Sequence, residues 1–383
     1  MIDKARLKER VLELVRIDSH SRKERAIALR LREILEELGG AVFMDDAGAA
    51  VGGEVGNLVA HFDGNAAGAE PLLLSAHMDT VAPGEGVVPV VEGDIIRSDG
   101  TTVLGGDDKS GIAIILEVLE ALREEETPHG HIDVVFTICE EMGLLGAKHL
   151  DLSLVRARTG LVLDSDSIGF LITRAPAANL LEFEVHGLEA HAGICPERGI
   201  SAIQVAARGI AAMRLGRIDE DTTANLGLVN GGTAVNIVPN RVTLRGEVRS
   251  HDEEKLERQT QAMLACLQEA AAEATLELDG RRHETRVESR IERQYDRMDV
   301  SHETAIVRRV HEAARNLGLA VDTVAKGGGC DANVLNQRGL QVANLASGMR
   351  DIHTVNEWLD VNDLVTAAEI IREVVRLEGS RAS

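Results

Sequence analysis

The apolar and polar positions follow two different periods along the outer parts of the chain. Apolar residues at helical spacing predict amphipathic helices over residues 3–17 and 21–38. Short apolar runs predict strands that are buried on both faces, a pattern typical of α/β sheets. The predicted strands are residues 57–62, 71–76, 132–139, 160–163 and 341–346. This pattern predicts an α/β domain with a mixed, mostly parallel sheet between helices.

Two helices carry the same predicted start signal. Ser21 with Glu24, and Ser250 with Glu253, place a hydroxyl three residues before a carboxylate. This spacing predicts a capping box, in which both side chains bind free backbone N–H groups of the first turn. We therefore expect helices to begin at these two serines.

The middle of the chain departs from the outer pattern. Between residues 176 and 294, an alternating strand comes first and is followed by a helix, two strands, a second helix and a last strand. The order β-α-β-β-α-β is that of a ferredoxin-like α+β unit. We therefore predict a discontinuous α/β domain, residues 1–175 and 295–383, interrupted by an inserted domain at residues 176–294.

Composition and charge exclude several function classes. The chain has 383 residues and a formal charge of −22. This charge argues against nucleic-acid binding and against anionic membranes, which both attract basic surfaces. The sequence has no apolar stretch of transmembrane length and no signal-peptide pattern at its start. The four cysteines show no paired spacing. We therefore expect a cytoplasmic protein.

Histidine and carboxylate residues follow the predicted strands. His77 and Asp79 come after the strand at 71–76, while Glu140 and Glu141 come after the strand at 132–139. Ligands of open α/β sheets bind outside the carboxyl ends of the strands, so the topology brings such groups together. The further members of this set are Asp107, Asp164 and His353.

Asp107 lies in a Gly-Gly-Asp-Asp turn before an apolar helix. Taken alone, such a turn is typical of N-capping, and a lone histidine at a strand end is typical of a satisfied core residue. Together, two histidines and three carboxylates without cysteine indicate a catalytic rather than a structural metal site. We expect two divalent ions bridged by Asp107, with zinc favoured and cobalt or manganese as alternatives.

Glu140 directly precedes a predicted ligand and need not bind metal itself. A carboxylate in that position could act as general base toward a water between the two ions. The alternative is an ordinary strand-end carboxylate in solvent. Asp79 could accept the second N–H of the His77 imidazole, as carboxylates beside metal ligands commonly do.

Five motifs together resemble the co-catalytic zinc peptidases, which include peptidase T, glutamate carboxypeptidase and succinyl-diaminopimelate desuccinylase. They are Ser75–Thr80, Gly105–Gly111, Glu140–Gly143, Asp164 and Ile352–His353, in this order along the chain. The resemblance implies that His77 and Asp164 hold one ion and that Glu141 and His353 hold the other. It also implies a bridging Asp107, a general base at Glu140, an orienting Asp79 and a cis peptide bond after Asp107.

The resemblance extends to the inserted domain. His191 resembles a lid histidine that reaches the partner subunit's active site in a homodimer and stabilises the oxyanion there. Asn236 and Arg249 resemble residues that bind the substrate carboxylate or backbone. Gly328 and Gly329 lie in a loop that resembles the glycine loop lining the substrate pocket. Asp164, where several branches have Glu, favours the peptidase T branch.

These observations predict a metal-dependent enzyme that hydrolyses a peptide bond in small peptides, most similar to a tripeptide aminopeptidase. An N-acyl amino acid amidohydrolase or a carboxypeptidase on the same metal core is the alternative among hydrolases. A non-catalytic metal- or peptide-binding protein on the same scaffold is the alternative from another class.

Overall fold

A nine-stranded mixed sheet forms the centre of the first of two units in the computed structural model, which describes residues 1–381. This unit comprises Met1–Arg174, Met298–Lys326 and the chain from Cys330 onward. Eight strands follow one another across the sheet, and Asp322–Ala325 pairs beside Phe170–Ala175. Their order is Ala41–Met44, Leu58–Phe62, Ile132–Thr137, Leu72–His77, Thr159–Val162, Gln341–Leu345, Phe170–Ala175 and Met298–Asp299.

Four neighbouring strands at the middle of this sheet are parallel. Leu72–His77 lies between Ile132–Thr137 and Thr159–Val162, and Gln341–Leu345 follows Thr159–Val162. Every residue of Leu72–His77 and of Ile132–Thr137 is buried, as expected for strands whose sequences are mostly apolar. The predicted α/β fold with a mixed sheet is confirmed. The carboxyl ends of the four strands therefore meet at one edge.

Helices pack on this sheet, and a smaller four-stranded antiparallel sheet belongs to the same unit. The helix Gly106–Glu124 is almost wholly buried, because it packs against Leu72–His77, Lys4–Val15 and Val361–Arg381. The other helices are Arg25–Glu37, Ala47–Val51, Leu145–His149, Ala305–Asn316 and Asp331–Gln337. The small sheet has the order Met349–Arg350, Trp358–Asp360, Ile95–Ser98 and Pro89–Glu92.

Both predicted capping boxes are wrong. The first helix begins only at Arg25, and the Ser21 hydroxyl instead donates to Asp79 Oδ2 at 2.6 Å. The second begins at Glu253, where Asp252 rather than Ser250 accepts the backbone N–H of Lys255. Partners distant in the sequence satisfy Ser21, so the local pattern does not decide the helix start.

The second unit comprises Ala175–Arg297 and Gly327–Gly329. Its elements follow the predicted β-α-β-β-α-β order, with two helices, Ala202–Ala212 and Glu253–Ala272, packed on a five-stranded antiparallel sheet. The strand order is Gly216–Arg217, Thr222–Gly231, Arg241–Ser250, Ala177–His186 and Arg286–Tyr295. Alternate strand residues such as Phe183 and Leu244 are buried against Leu267, which gives this unit a core of its own.

Two short strand pairs and two short turns lie outside these sheets and helices. Within the second unit, Ala190–His191 pairs with Ile237–Val238, and Thr275–Leu278 forms a hairpin with Arg281–Glu284. Short 3-10 turns occur at Leu152–Leu154 and Pro196–Arg198. Among the described residues, no helix has the length and apolar character that crossing a membrane requires.

Candidate metal centre

The carboxyl ends of the parallel strands bring the predicted ligands of the first unit together. His77 is the last residue of its strand, and Glu140 and Glu141 follow the neighbouring strand through a turn. Ligand atoms of His77, Asp107 and Asp164 lie within 4.8 Å of one another. The same holds for Asp107, Glu141 and His353. Sequence-distant groups therefore converge on one edge of the sheet.

Asp107 stands between the two groups. Its Oδ1 lies 3.0 Å from Nε2 of His77, and its Oδ2 lies 3.2 Å from Nε2 of His353. Nε2 of His353 also lies 2.9 Å from Oε1 of Glu141. Each oxygen of one carboxylate thus faces a different imidazole nitrogen. This donor set fits two cations that share the Asp107 carboxylate.

The chain on either side of Asp107 fixes its carboxylate. Gly105 has a φ of 73°, and the peptide bond between Asp107 and Asp108 is cis, as the resemblance implied. The buried Glu357 accepts the backbone N–H groups of Gly105 at 2.8 Å and of Asp107 at 2.9 Å. Sequence reasoning missed Glu357, because nothing in the sequence links it to a turn 250 positions away.

Asp79 connects the two strand ends that carry the ligands. Its Oδ1 accepts the backbone N–H of Glu140 at 2.8 Å and lies 3.5 Å from Nδ1 of His77. Its Oδ2 accepts the backbone N–H of Glu141 at 3.2 Å and the Ser21 hydroxyl. The fully buried Asp79 therefore holds both glutamates and faces the outer nitrogen of the imidazole.

Two further buried residues, which sequence reasoning missed, support the centre. Asn344 holds the chain at Asp164, because its Oδ1 accepts the Asp164 backbone N–H at 3.0 Å. Asp331 accepts the Thr137 hydroxyl at 2.5 Å, and burial raises the pKa of its carboxyl to about 6. Asn344 belongs to no recognisable motif, and Asp331 directly follows the predicted glycine loop, which gave no sign of a role at the centre.

The centre contains more carboxyl groups than positively charged groups. Burial, followed by the nearby charge of Asp107, raises the pKa of Asp164 to about 8. Burial and the charge of Asp164 likewise raise the pKa of Glu140 well above its usual range. Burial alone would raise the pKa of Asp107 as well, but hydrogen bonds with His353 and His77 lower it. Cations at the centre would offset this excess of carboxylates, which supports the same fit.

Three predicted substrate or lid residues belong to the second unit. His191 and Asn236 are both exposed. They lie next to each other, because the strand of His191 pairs with Ile237–Val238 and the Ala192 N–H donates to the Asn236 carbonyl at 2.9 Å. Arg249 lies on the strand Arg241–Ser250 and forms two 3.0 Å hydrogen bonds with the Glu247 carboxylate. His191 and Asn236 therefore share one locality, and Arg249 lies on the sheet.

The predicted glycine loop contains two differently placed residues. Gly328 is exposed, and a side chain there would meet no atom within 4 Å. Gly329 packs against the Tyr295 ring, where a Cβ atom would come within 2.3 Å of a ring carbon. A side chain is therefore excluded at Gly329, whereas space does not require glycine at Gly328.

An α/β sheet with histidines and carboxylates gathered at the carboxyl ends of its strands defines the class of this protein as a hydrolase with a candidate metal centre. The model of the peptidase family M20/M25/M40 matches residues 73–377. The chain belongs to this family and is a peptidase-type hydrolase.

Three relatives cover nearly the whole chain. The uncharacterized protein YqjE of Bacillus subtilis (strain 168) is 41% identical over 98% of this chain and 99% of its own length. A solved tripeptidase from Staphylococcus aureus is 37% identical, with a TM-score of 0.91 and coverage of 99% and 100%. The solved aminopeptidase PepT from Bacillus cereus is also 37% identical, with a TM-score of 0.86 and 99% of both chains covered.

Proposed function

We propose that this protein is a metal-dependent aminopeptidase that hydrolyses small peptides, with tripeptides as the preferred substrates. The arrangement of Asp107 between His77 and His353 carries the metal part of the proposal. The specificity rests on similarity to the tripeptidase from Staphylococcus aureus, which extends over the whole chain.

In this proposal the centre holds two divalent ions. His77 and Asp164 would hold one ion, Glu141 and His353 would hold the other, and Asp107 would serve both. Nitrogen and oxygen donors without thiolates favour zinc, with cobalt and manganese as alternatives. Bound divalent ions would supply Lewis-acid chemistry by polarising the scissile carbonyl and by acidifying water.

Glu140 is the proposed general base. Its carboxyl is buried, and the backbone bond to Asp79 fixes the position of the residue. It takes a proton from the attacking water and delivers it to the leaving amine. Asp79 holds the His77 ring and the Glu140 backbone in the orientation that this transfer needs.

The predicted inserted domain, residues 176–294, lies within the second unit. It is the proposed lid and dimerisation domain. Residues 1–175 and 295–383 form the proposed catalytic domain. In a homodimer, His191 stabilises the oxyanion in the partner's site, while Asn236 and Arg249 bind the substrate carboxylate or backbone. Gly328 and Gly329 present backbone N–H groups to the substrate. The spacing of the four cysteines, which does not suggest disulfide pairs, supports a cytoplasmic location.

Hydrolysis by the purified protein tests this proposal. The protein is reloaded with zinc, cobalt or manganese and offered free tripeptides and dipeptides beside N-acetyl, N-succinyl and C-terminal glutamate substrates. Release of the amino-terminal residue from tripeptides supports the aminopeptidase proposal. Cleavage of acylated amino acids or of C-terminal glutamate alone would replace it by an amidohydrolase or a carboxypeptidase. Bound metal without turnover would favour a non-catalytic binding protein.

A further inference from the structure

A second group of metal-ligating side chains lies away from the centre described above. It consists of His61, His131 and Asp133, called here the His-His-Asp triad. Nδ1 of His61 lies 3.3 Å from Nε2 of His131 and 3.2 Å from Oδ1 of Asp133. Nε2 of His131 lies 2.7 Å from the same Oδ1. Three donor atoms thus form a triangle with one nitrogen or oxygen at each corner.

The triangle has the size that a tetrahedral zinc ion requires. Zinc binds imidazole nitrogen and carboxylate oxygen at about 2.0–2.2 Å. Three such donors at tetrahedral angles around one ion are roughly 3.3 Å apart. The two longer edges of the triad match this spacing, and the shorter edge would open by a few tenths of an ångström.

Two members of the triad lie on paired strands. His61 of Leu58–Phe62 lies directly opposite Asp133 of Ile132–Thr137 in the antiparallel register. His131 directly precedes the second strand, and its backbone carbonyl accepts the Leu72 N–H at 2.9 Å. The sheet therefore fixes the spacing of His61 and Asp133, and His131 joins them from the residue just before the strand.

Neighbouring groups orient the triad as they do at metal sites. Oδ2 of Asp133 accepts the backbone N–H groups of Arg156 at 2.6 Å and of Ala157 at 2.7 Å, which leaves Oδ1 directed at the histidines. Nδ1 of His131 lies 3.6 Å from Oδ1 of the exposed Asp63, which is beyond hydrogen-bond distance.

The triad is partly closed to solvent. Asp133 is fully buried, and the side chains of His61 and His131 are 8% and 13% exposed.

The triad is separate from the candidate metal centre. Asp133 pairs with Leu73, whereas His77 pairs with Thr137 four residues further along the same strands. Four residues of parallel strand span about 13 Å. None of the three residues has a part in the proposed hydrolysis.

We propose that His61, His131 and Asp133 form an additional binding site for a divalent cation that prefers imidazole, with zinc as the chief candidate. The ion would tie Leu58–Phe62 to the beginning of Ile132–Thr137. Three protein ligands with one position open for water allow a stabilising role without excluding exchange of the ion.

Metal analysis of the full-length protein tests this site. Wild-type protein and the variants His61→Gln and His131→Gln are dialysed against Zn²⁺ or Co²⁺, and bound ions per chain are counted. Each variant is expected to carry one ion fewer than wild type, whatever the number held at the other centre. His129→Gln is the matched control, because His129 lies two positions before His131 but its Nδ1 faces the Gly130 carbonyl oxygen at 2.7 Å.

Both triad variants should retain the far-UV circular dichroism spectrum and the cooperative unfolding of wild type, which shows that they fold. Equal metal content in wild type and both variants at every concentration would overturn the proposal. Loss of the same ion from His129→Gln would also overturn it, because the loss would then not depend on the triad. Because the count is a difference between variants, it stands apart from any failure of the hydrolysis test.

Discussion

Oδ1 of Asp79 accepts the backbone N–H of Glu140 at 2.8 Å, so two neighbouring strand ends are joined through one buried carboxylate. The same carboxylate lies 3.5 Å from Nδ1 of His77 and receives the hydroxyl of Ser21 on its other oxygen. An ionised carboxylate can accept all these bonds, because each oxygen offers two lone pairs. Asp79 therefore couples a proposed ligand to the proposed base.

Replacing Asp79 by Asn should weaken this link between His77 and Glu140. The amide keeps the volume but turns one acceptor oxygen into a donor, which would oppose a backbone N–H or the Ser21 hydroxyl. Carboxylates beside ligating histidines typically contribute 10- to 100-fold in metal affinity or activity. We expect a fall in kcat/KM of about that size, measured by steady-state hydrolysis with metal content determined in parallel.

Ser21→Ala is the control for this variant. It removes only the 2.6 Å bond to Oδ2 and leaves both glutamate backbone bonds in place. Its effect should be much smaller than that of Asp79→Asn. Equal effects would show that Asp79 acts through the packing of residues 19–24 and not through His77 and Glu140.

Glu140 and Glu141 are adjacent but have different proposed roles, so their glutamine variants should have different defects. Glu140→Gln should retain both ions and lose about 10²- to 10⁴-fold in kcat, the usual contribution of a general base. Glu141→Gln should lower metal affinity, because its Oε1 faces His353 Nε2. Metal titration and steady-state kinetics on the same preparations distinguish the two. Substantial turnover by Glu140→Gln would contradict its role as base.

The strand pattern was enough to predict the sheet and the edge at which polar groups meet. His77 ends one mostly apolar strand, Glu140 and Asp164 follow two others, and parallel strands end at a common edge. Their convergence therefore follows from topology. The position of Asp107 between the two groups was also expected, whereas the distances from its two oxygens to His77 and His353 depend on the turn geometry.

Residues that support the centre from distant parts of the chain escaped prediction. Glu357 binds the turn at Gly105, and Asn344 holds Asp164, yet each is a single polar residue without periodicity. Ser21 and Glu24 matched a local capping pattern, but the fold uses both for contacts with residues 79 and 139. Local rules fail where a buried partner from elsewhere offers a stronger bond.

The proposed role of His191 predicts complementation between subunits. If His191 acts in the partner's site, His191→Ala and Glu140→Ala homodimers should each be inactive. Mixed dimers should then contain one site with both residues intact and regain part of the wild-type activity. Subunit exchange is verified by mass spectrometry of differently tagged chains. Exchange without recovered hydrolysis would place His191 in its own subunit's site or outside the reaction.

Glu24 should make stability depend on pH. Its side chain is fully buried, its Oε1 accepts the Cys139 N–H at 3.0 Å, and its Oε2 has no hydrogen-bond partner among the described residues. Burial and the charge of Asp79 raise the pKa of the Glu24 carboxyl in the folded protein. The folded state therefore holds this proton more tightly than the unfolded state does. Stability from this group is present below the unfolded pKa of about 4.3 and is lost as pH rises through the folded pKa.

Glu24→Gln removes this titration and keeps an oxygen for the Cys139 N–H. The unfolding free energy of the variant, relative to wild type, should rise with pH above about 4.3, by about 1.4 kcal/mol per unit of pKa difference. Denaturant unfolding at several pH values, with a chelator present so that metal release does not contribute, measures this. Glu36→Gln, an exposed change on the same helix, corrects for the loss of one surface charge. If the difference between Glu24→Gln and wild type stays constant across pH, Glu24 ionises as readily in the folded chain as in the unfolded one.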